Sequence, residues 1–183
     1  MRMERLKNEA AFLKYVKGNT NIPVPTLHCA FEDTGHFYVI TNFISGVTMV
    51  KLSTEQKLIV MREINVHLQT MQGIKSSMMG GLLGDECLLY RLLEATSYTK
   101  PIMFKQTETP EFVFCHNDLF QHNIIVDEYT LMITAIIDWE YAGFYSKEFE
   151  GVFYKQPSPS VALDGEEDDV PYLLGVLEQW MQK

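Results

Sequence analysis

Cysteine is scarce in this 183-residue chain. Cys29, Cys87 and Cys115 are odd in number and widely spaced, with no Cys-x-x-Cys pair, which speaks against a disulfide framework, a thiolate zinc site or redox work. All three are expected as buried free thiols. Long apolar runs are also missing, since none approaches the ~20 residues a membrane-spanning helix needs. The start, Met1, Arg2, Met3, Glu4 and Arg5, leads into an amphipathic segment and not into the apolar core of a signal peptide. Basic residues are outnumbered, 15 Lys and Arg against 24 Asp and Glu, for a net charge of -9. That balance opposes non-specific binding to nucleic acid or anionic membrane, because both are polyanions. Neither an internal repeat nor a low-complexity linker is present. What remains, 46% hydrophobic and 21% charged residues, describes a soluble cytoplasmic protein of one domain or two small lobes, able to bury roughly 70% of its unfolded surface.

The first periodic segment covers residues 4–16, where Leu6, Ala10, Leu13 and Val16 recur at helical spacing before Gly18, Asn19, Pro23 and Pro25 end it. Residues 26–31 and 37–43 are rich in aromatic and β-branched side chains and flank Asp33, Thr34 and Gly35, which predicts a hairpin. Ser53 and Gln56 fit a capping box. It opens a helix over 54–71 with Met61, Ile64, Leu68 and Met71 as its core stripe. Gly80, Gly81 and Gly84 lie too irregularly for a phosphate-binding loop and have no following Lys-Ser/Thr, so they read as a surface loop. Residues 112–115 form a short apolar strand, and 124–126 with 133–137 form a second hairpin. The acidic run over 164–169 reads as a solvated loop. Pro171 starts a last helix with Leu173, Val176, Leu177 and Trp180 on one face.

The chemistry concentrates in residues 115–140. Antiparallel pairing in the second hairpin returns the chain beside its own start, so Asn123 and Asp138 share one end of the ribbon. Asp118, five residues before Asn123, sits in a loop that opens at that end. Asn and carboxylate oxygens suit a hard cation such as Mg²⁺, and an Asp beside it can take a hydroxyl proton as the oxygen attacks a γ-phosphoryl group. A different reading takes His116, Asp118 and His122 as the start of a zinc metallohydrolase cluster, which would need further ligands.

The pattern His116-x-Asp118-x-x-x-x-Asn123, with Asp138, Trp139 and Glu140 after the next hairpin, resembles the catalytic and metal loops of the protein-kinase-like fold. Asn117 in place of Arg, and Asp-Trp-Glu in place of Asp-Phe-Gly, make it similar to the aminoglycoside phosphotransferase and choline kinase branch, in particular to fungal aminoglycoside-phosphotransferase-like proteins. The resemblance implies an α+β protein-kinase-like fold, mostly the large C-terminal lobe. Residues 1–46 would form a partial small lobe of helix, hairpin and hinge, and residues 47–183 a helical large lobe. It implies Asp118 as catalytic base, Asn123 and Asp138 as Mg²⁺ ligands, and His116 as a loop brace, with Glu140 matching an acidic motif position. Glu9 would pair with an ATP-binding lysine, and Thr41, Asn42, Phe43 and Ile44 would be the nucleotide hinge. ATP would be the co-substrate and a small hydroxyl compound the acceptor.

The same resemblance puts a glycine-rich loop and a phosphate-anchoring lysine before Glu9, where only eight residues stand. Lys7 points around a different face of Glu9's helix and cannot serve. The expectation is a truncated small-molecule phosphotransferase impaired in ATP grip. The alternative is a non-catalytic pseudokinase or truncated gene product acting as a binding module.

Overall fold

In a computed structural model of the chain, residues 2–83, 88, 90–96, 104–157, 165 and 167–181 are described. Helix α1 spans Arg2–Asn19 and buries Asn8, Ala10, Phe12, Leu13 and Val16. It runs three residues past the expected end because side chains take its last carbonyls. Asn19 Nδ2 donates to Tyr15 O at 2.8 Å, and Thr20 Oγ1 donates to Val16 O at 2.9 Å.

Strands β1 (Leu27–Asp33) and β2 (His36–Thr41) form the expected antiparallel hairpin, with Ala30 opposite Val39. Thr34 (φ 46°) and Gly35 (φ 78°) are both left-handed, which is the two-residue turn whose twist matches its strands. The hairpin packs on α1 and leaves Phe31, Tyr38 and Ile40 exposed. Cys29 lies on β1 and is exposed, contrary to the buried-thiol expectation, because this sheet has only two strands. Cys115 is buried as expected, and Cys87 falls outside the described residues.

Beyond the hairpin, the described residues hold two three-stranded sheets, which include the expected strand before His116 and the expected second hairpin. One has the order β3-β6-β7, from Val47–Thr48, Ile124–Val126 and Ile133–Ile136. The other has the order β4-β5-β8, from Lys75–Ser76, Phe112–Cys115 and Gly143–Tyr145. Between β3 and β4 runs α2, Thr54–Gly73, opened by the complete Ser53–Gln56 capping box. Its buried face is Val60, Ile64, His67 and Met71. The expected stripe was therefore displaced by one residue at two positions, and Met61 and Leu68 only flank the core. His67 occupies a core position with Glu63 one turn before it, 3.6 Å away and beyond hydrogen-bond reach. Helices α3 (Tyr90–Ala95) and α4 (Val170–Trp180) complete the fold, the latter with Pro in its first turn and Leu173 and Leu177 buried. Of the acidic run, Glu167 and Asp168 are exposed, while residues 164 and 166 lie outside the described residues.

An aromatic stack joins these layers. Phe12 of α1 lies 5.2 Å from Phe114 of β5, and Phe114 in turn stacks on Trp139 at 5.8 Å. The glycine-rich segment is not simply a surface loop. Gly80 is buried and exchanges two 2.9 Å backbone bonds with Phe144 of β8, while Gly84 lies outside the described residues. Close approach at this bridge requires glycine on the other side as well. A Cβ on Gly143 would stand 2.9 Å from Gly80 O and 2.4 Å from the Tyr145 ring. Gly143→Ala is expected to lower stability by about 1–3 kcal/mol in urea denaturation, with the amide of Phe144 losing its protection from exchange.

Candidate active site

The loop that leaves β5 and the segment that leaves β7 meet below α1, and side-chain hydrogen bonds hold them together. After Cys115 the backbone turns left-handed at Asn117 (φ 68°), and after Ile137 it does so again at Asp138 (φ 66°). Both are residues whose short polar side chains tolerate that conformation. From Asp138 the chain enters a one-turn 3₁₀ helix, Trp139–Tyr141, before β8. Its buried carbonyls need partners outside the sheets. Asn8 Nδ2, 1% exposed as a residue, donates to Glu140 O at 3.0 Å and Ala142 O at 2.9 Å. Asn117 Nδ2 donates to Tyr141 O at 2.8 Å.

His116 spans the two loops with both ring nitrogens. The Asp118 amide donates to Nδ1 at 3.3 Å, so Nδ1 is the acceptor and Nε2 carries the hydrogen that Ile137 O receives at 3.1 Å. The ring also rests 4.5 Å from that of Trp139. Burial pushes its pKa down to about 4, keeping it neutral. No ring lone pair is left for zinc, and His122 is exposed and packs beside Phe120. The metallohydrolase reading thereby loses its first ligand.

Asp118 and Asn123 are in direct contact. Asn123 Nδ2 donates to Asp118 O at 2.9 Å and lies 3.4 Å from Asp118 Oδ2. The backbone bond from Ile137 N to Asn123 O, 3.0 Å, sets Asp138 one residue beyond that pair. Glu9 of α1 and Glu140 complete an acidic group around Asp138. Burial first, then Asp138 and Glu140, raise the Glu9 pKa to about 7. Burial likewise raises Asp138, opposed by Arg5, and raises Glu140 together with the charge of Asp138. Arg5 is the counter-charge, donating to Glu140 Oε1 at 3.1 Å and to the Tyr141 hydroxyl. Lys7 is turned away, paired with Glu32 at 3.2 Å and set over Phe37.

The expected hinge residues lie apart, at the end of the hairpin. Thr41 ends β2, and Asn42 N and Oδ1 bond Thr26 O and N at 3.1 and 2.5 Å. Asn42 Nδ2 donates to Phe43 O at 3.2 Å, the Phe43 side chain is 89% exposed, and Ile44 is half-buried.

Three residues escaped the sequence reading. Asn8 had a signal, since it stands one helical turn before Phe12 on the apolar face of α1. Arg5 and Glu150 had none, because their partners are 135 and 34 positions away. Glu150 accepts the amides of His116 and Asn117.

Residues 80–146 match the sequence model of the APH family, described as the phosphotransferase enzyme family. Among solved structures, aminoglycoside-3'-phosphotransferase of type VIII superposes with a TM-score of 0.58 at 16% identity, over 80% of this chain and 62% of its own. A thermostable mutant of aminoglycoside phosphotransferase APH(4)-Ia, solved with ADP and hygromycin B, gives 0.55 at 16% identity, over 78% and 59%. The chain has the aminoglycoside phosphotransferase fold. A putative aminoglycoside phosphotransferase from Ralstonia eutropha shares that fold, with a TM-score of 0.53, 16% identity and coverage of 79% and 52%. The chain thus spans about three fifths of the length of the first two of these and about half of the third. No curated protein sequence matches it. Among the described residues no helix is long and apolar enough to cross a membrane.

The neutral His116 within this fold has a pH signature. Its folded pKa, about 4, lies below the ordinary 6.5. Unfolded chains therefore take up the proton first, and stability falls as pH drops from 6.5 towards 4. Relative to His116→Gln, the wild type is expected to lose about 2 kcal/mol between pH 7.5 and pH 5 in urea denaturation.

Proposed function

We propose that the chain carries the metal and base half of a small-molecule phosphotransferase site, transferring the γ-phosphoryl group of ATP to a hydroxyl. The observation that carries this reading is the contact of Asp118 with Asn123, with Asp138 set beside them by the Ile137–Asn123 bond. The matched sequence model, which covers Asp118, Asn123, Asp138 and Glu140, supports it.

The donor set suits Mg²⁺, because Asn and carboxylate oxygens are hard ligands. Burial raises the pKa of Glu9, Asp138 and Glu140, the charge of Asp138 adds to it at Glu9 and Glu140, and Arg5 opposes it at Asp138 and Glu140, an arrangement that a divalent cation would relieve. Asn123 and Asp138 would hold it. Bound there, Mg²⁺ supplies charge neutralisation of the phosphates. Asp118 accepts the acceptor's hydroxyl proton as the oxygen attacks the phosphorus. Its carbonyl is fixed by Asn123 and its amide by His116, so the carboxylate is aimed before substrate arrives. His116 is a positioning residue, and Glu140 orients Arg5 against Tyr141.

Residues 1–46 then act as a partial small lobe, with Thr41, Asn42, Phe43 and Ile44 as the adenine-facing hinge, and residues 47–183 as the large lobe. Adenine would displace the exposed Asn42–Phe43 bond. Glu9 would face the phosphate-gripping cation. A cytoplasmic setting follows from ATP as co-substrate. The acceptor would be a small hydroxyl compound, in keeping with the similar APH(4)-Ia, whose structure holds ADP and hygromycin B.

Titration calorimetry with ATP and Mg²⁺ tests this. Asp138→Ala is expected to weaken Mg²⁺-dependent nucleotide binding at least about tenfold. Asp118→Asn should leave binding within about twofold and lower turnover by about 10²–10⁴. Binding indifferent to Asp138→Ala contradicts the proposal, and a folded wild type with neither turnover nor nucleotide affinity assigns the chain to the non-catalytic alternative.

A further inference from the structure

Among the described residues, one guanidinium answers the whole acidic group. Arg5 stands one helical turn before Glu9 on α1. Both hydrogens on its Nη1 are spent, one on Glu140 Oε1 at 3.1 Å and one on the Tyr141 hydroxyl, and its Cζ lies 5.3 Å from the centre of the Tyr141 ring. The hydroxyl bonds the Glu140 carboxyl in turn, which closes a three-way contact and fixes the plane of the guanidinium. Nε and Nη2 make no hydrogen bond among the described residues. The side chain is 29% exposed, so a ligand can reach that free edge.

The charge of Arg5 extends beyond its own pair. Burial raises the Asp138 pKa, and among the described residues Arg5 alone opposes that. Lys7, on the same helix, is committed to Glu32. A fixed positive charge in this position acts in opposite senses on the two things the site would receive. It repels a divalent cation that arrives alone, since both draw on the same carboxyl charge. It attracts the phosphates that arrive with one, and a planar guanidinium with a free edge suits a pair of phosphate oxygens.

We propose that Arg5 couples the metal to the nucleotide, weakening the bare cation's binding and strengthening that of the cation–nucleotide complex, so that the cation enters with its phosphates. The proposal rests on the phosphotransferase reading, because it takes Asn123 and Asp138 as the metal's ligands.

Two titrations at low salt, where screening is least, test it. One follows Mn²⁺ alone by the paramagnetic resonance of the free ion, and the other follows a preformed complex of Mn²⁺ and a non-hydrolysable ATP analogue by calorimetry. Arg5→Gln is expected to bind Mn²⁺ alone at least about fivefold more tightly than the wild type, and the preformed complex at least about fivefold more weakly. Arg5→Lys keeps the charge without the planar fork, so its affinity for Mn²⁺ alone should stay within about twofold while the preformed complex weakens. A residue that merely braced α1 would weaken both on removal, so the opposite signs separate coupling from bracing. Mn²⁺ binding that Arg5→Gln leaves unchanged or weakens overturns the proposal. A preformed complex held by Arg5→Gln as tightly as by the wild type overturns it too, as does Arg5→Lys binding bare Mn²⁺ as tightly as Arg5→Gln. Asp138→Ala tells these failures from that of the reading beneath. Mn²⁺ binding that Asp138→Ala abolishes and Arg5→Gln does not tighten overturns the role of Arg5 alone, whereas binding indifferent to Asp138→Ala overturns the phosphotransferase site and this proposal with it.

Discussion

The backbone between Ile137 and Ala142 is half-buried to buried, crosses the centre of the site and belongs largely to no strand ladder, so its carbonyls are satisfied by side chains. Ile137 O is taken by His116, Tyr141 O by Asn117, and Glu140 O and Ala142 O both by Asn8. A buried carbonyl left without a donor costs about 1–3 kcal/mol, so these four bonds together outweigh any single packing contact. They also decide geometry, because the donors come from α1 and from the loop after β5. The three segments that carry Glu9, Asp118 and Asp138 are therefore tied to one another through their backbones, not through the acidic side chains that would do the chemistry.

That separation explains how the acids can be placed unfavourably. Burial raises the pKa of Glu9, Asp138 and Glu140, the charge of Asp138 adds to it at Glu9 and Glu140, and Glu150 is enclosed beside Asp118. Arg5 offsets part of this through Glu140 and the Tyr141 hydroxyl. The aromatic stack of Phe12, Phe114 and Trp139, with His116 against Trp139, supplies apolar support directly beneath. Carboxyls perturbed by burial together with a neighbouring charge are what functional sites concentrate.

Features with local signals were legible in the sequence. The Ser53–Gln56 box, the Thr34–Gly35 turn, the apolar strand before His116 and Pro171 in the last helix each act within a few residues. The hairpin argument that brings Asn123 beside Asp138 is of the same kind, since Ile124 pairs with Ile136. Strands β3, β4 and β8 were not legible, being two or three residues long and defined by partners up to 79 positions away, as with Val47 and Val126. The α2 stripe shifted because Val60–Met61 and His67–Leu68 offer two overlapping faces, and only tertiary packing chooses between them. Arg5 and Glu150 act through space on distant backbone and side chains, for which a single sequence holds no periodic trace.

The central claim is that Asn123 and Asp138 present their oxygens to one divalent cation while Asp118 stands beside it unbound. Anomalous diffraction from crystals grown with Mn²⁺ and a non-hydrolysable ATP analogue tests this most directly. The account predicts a peak at about 2.0–2.4 Å from Asn123 Oδ1 and an Asp138 carboxylate oxygen, with His116 still bonded to Ile137 O. A peak held instead by Glu9 and Glu140, or none near Asp138, would contradict it.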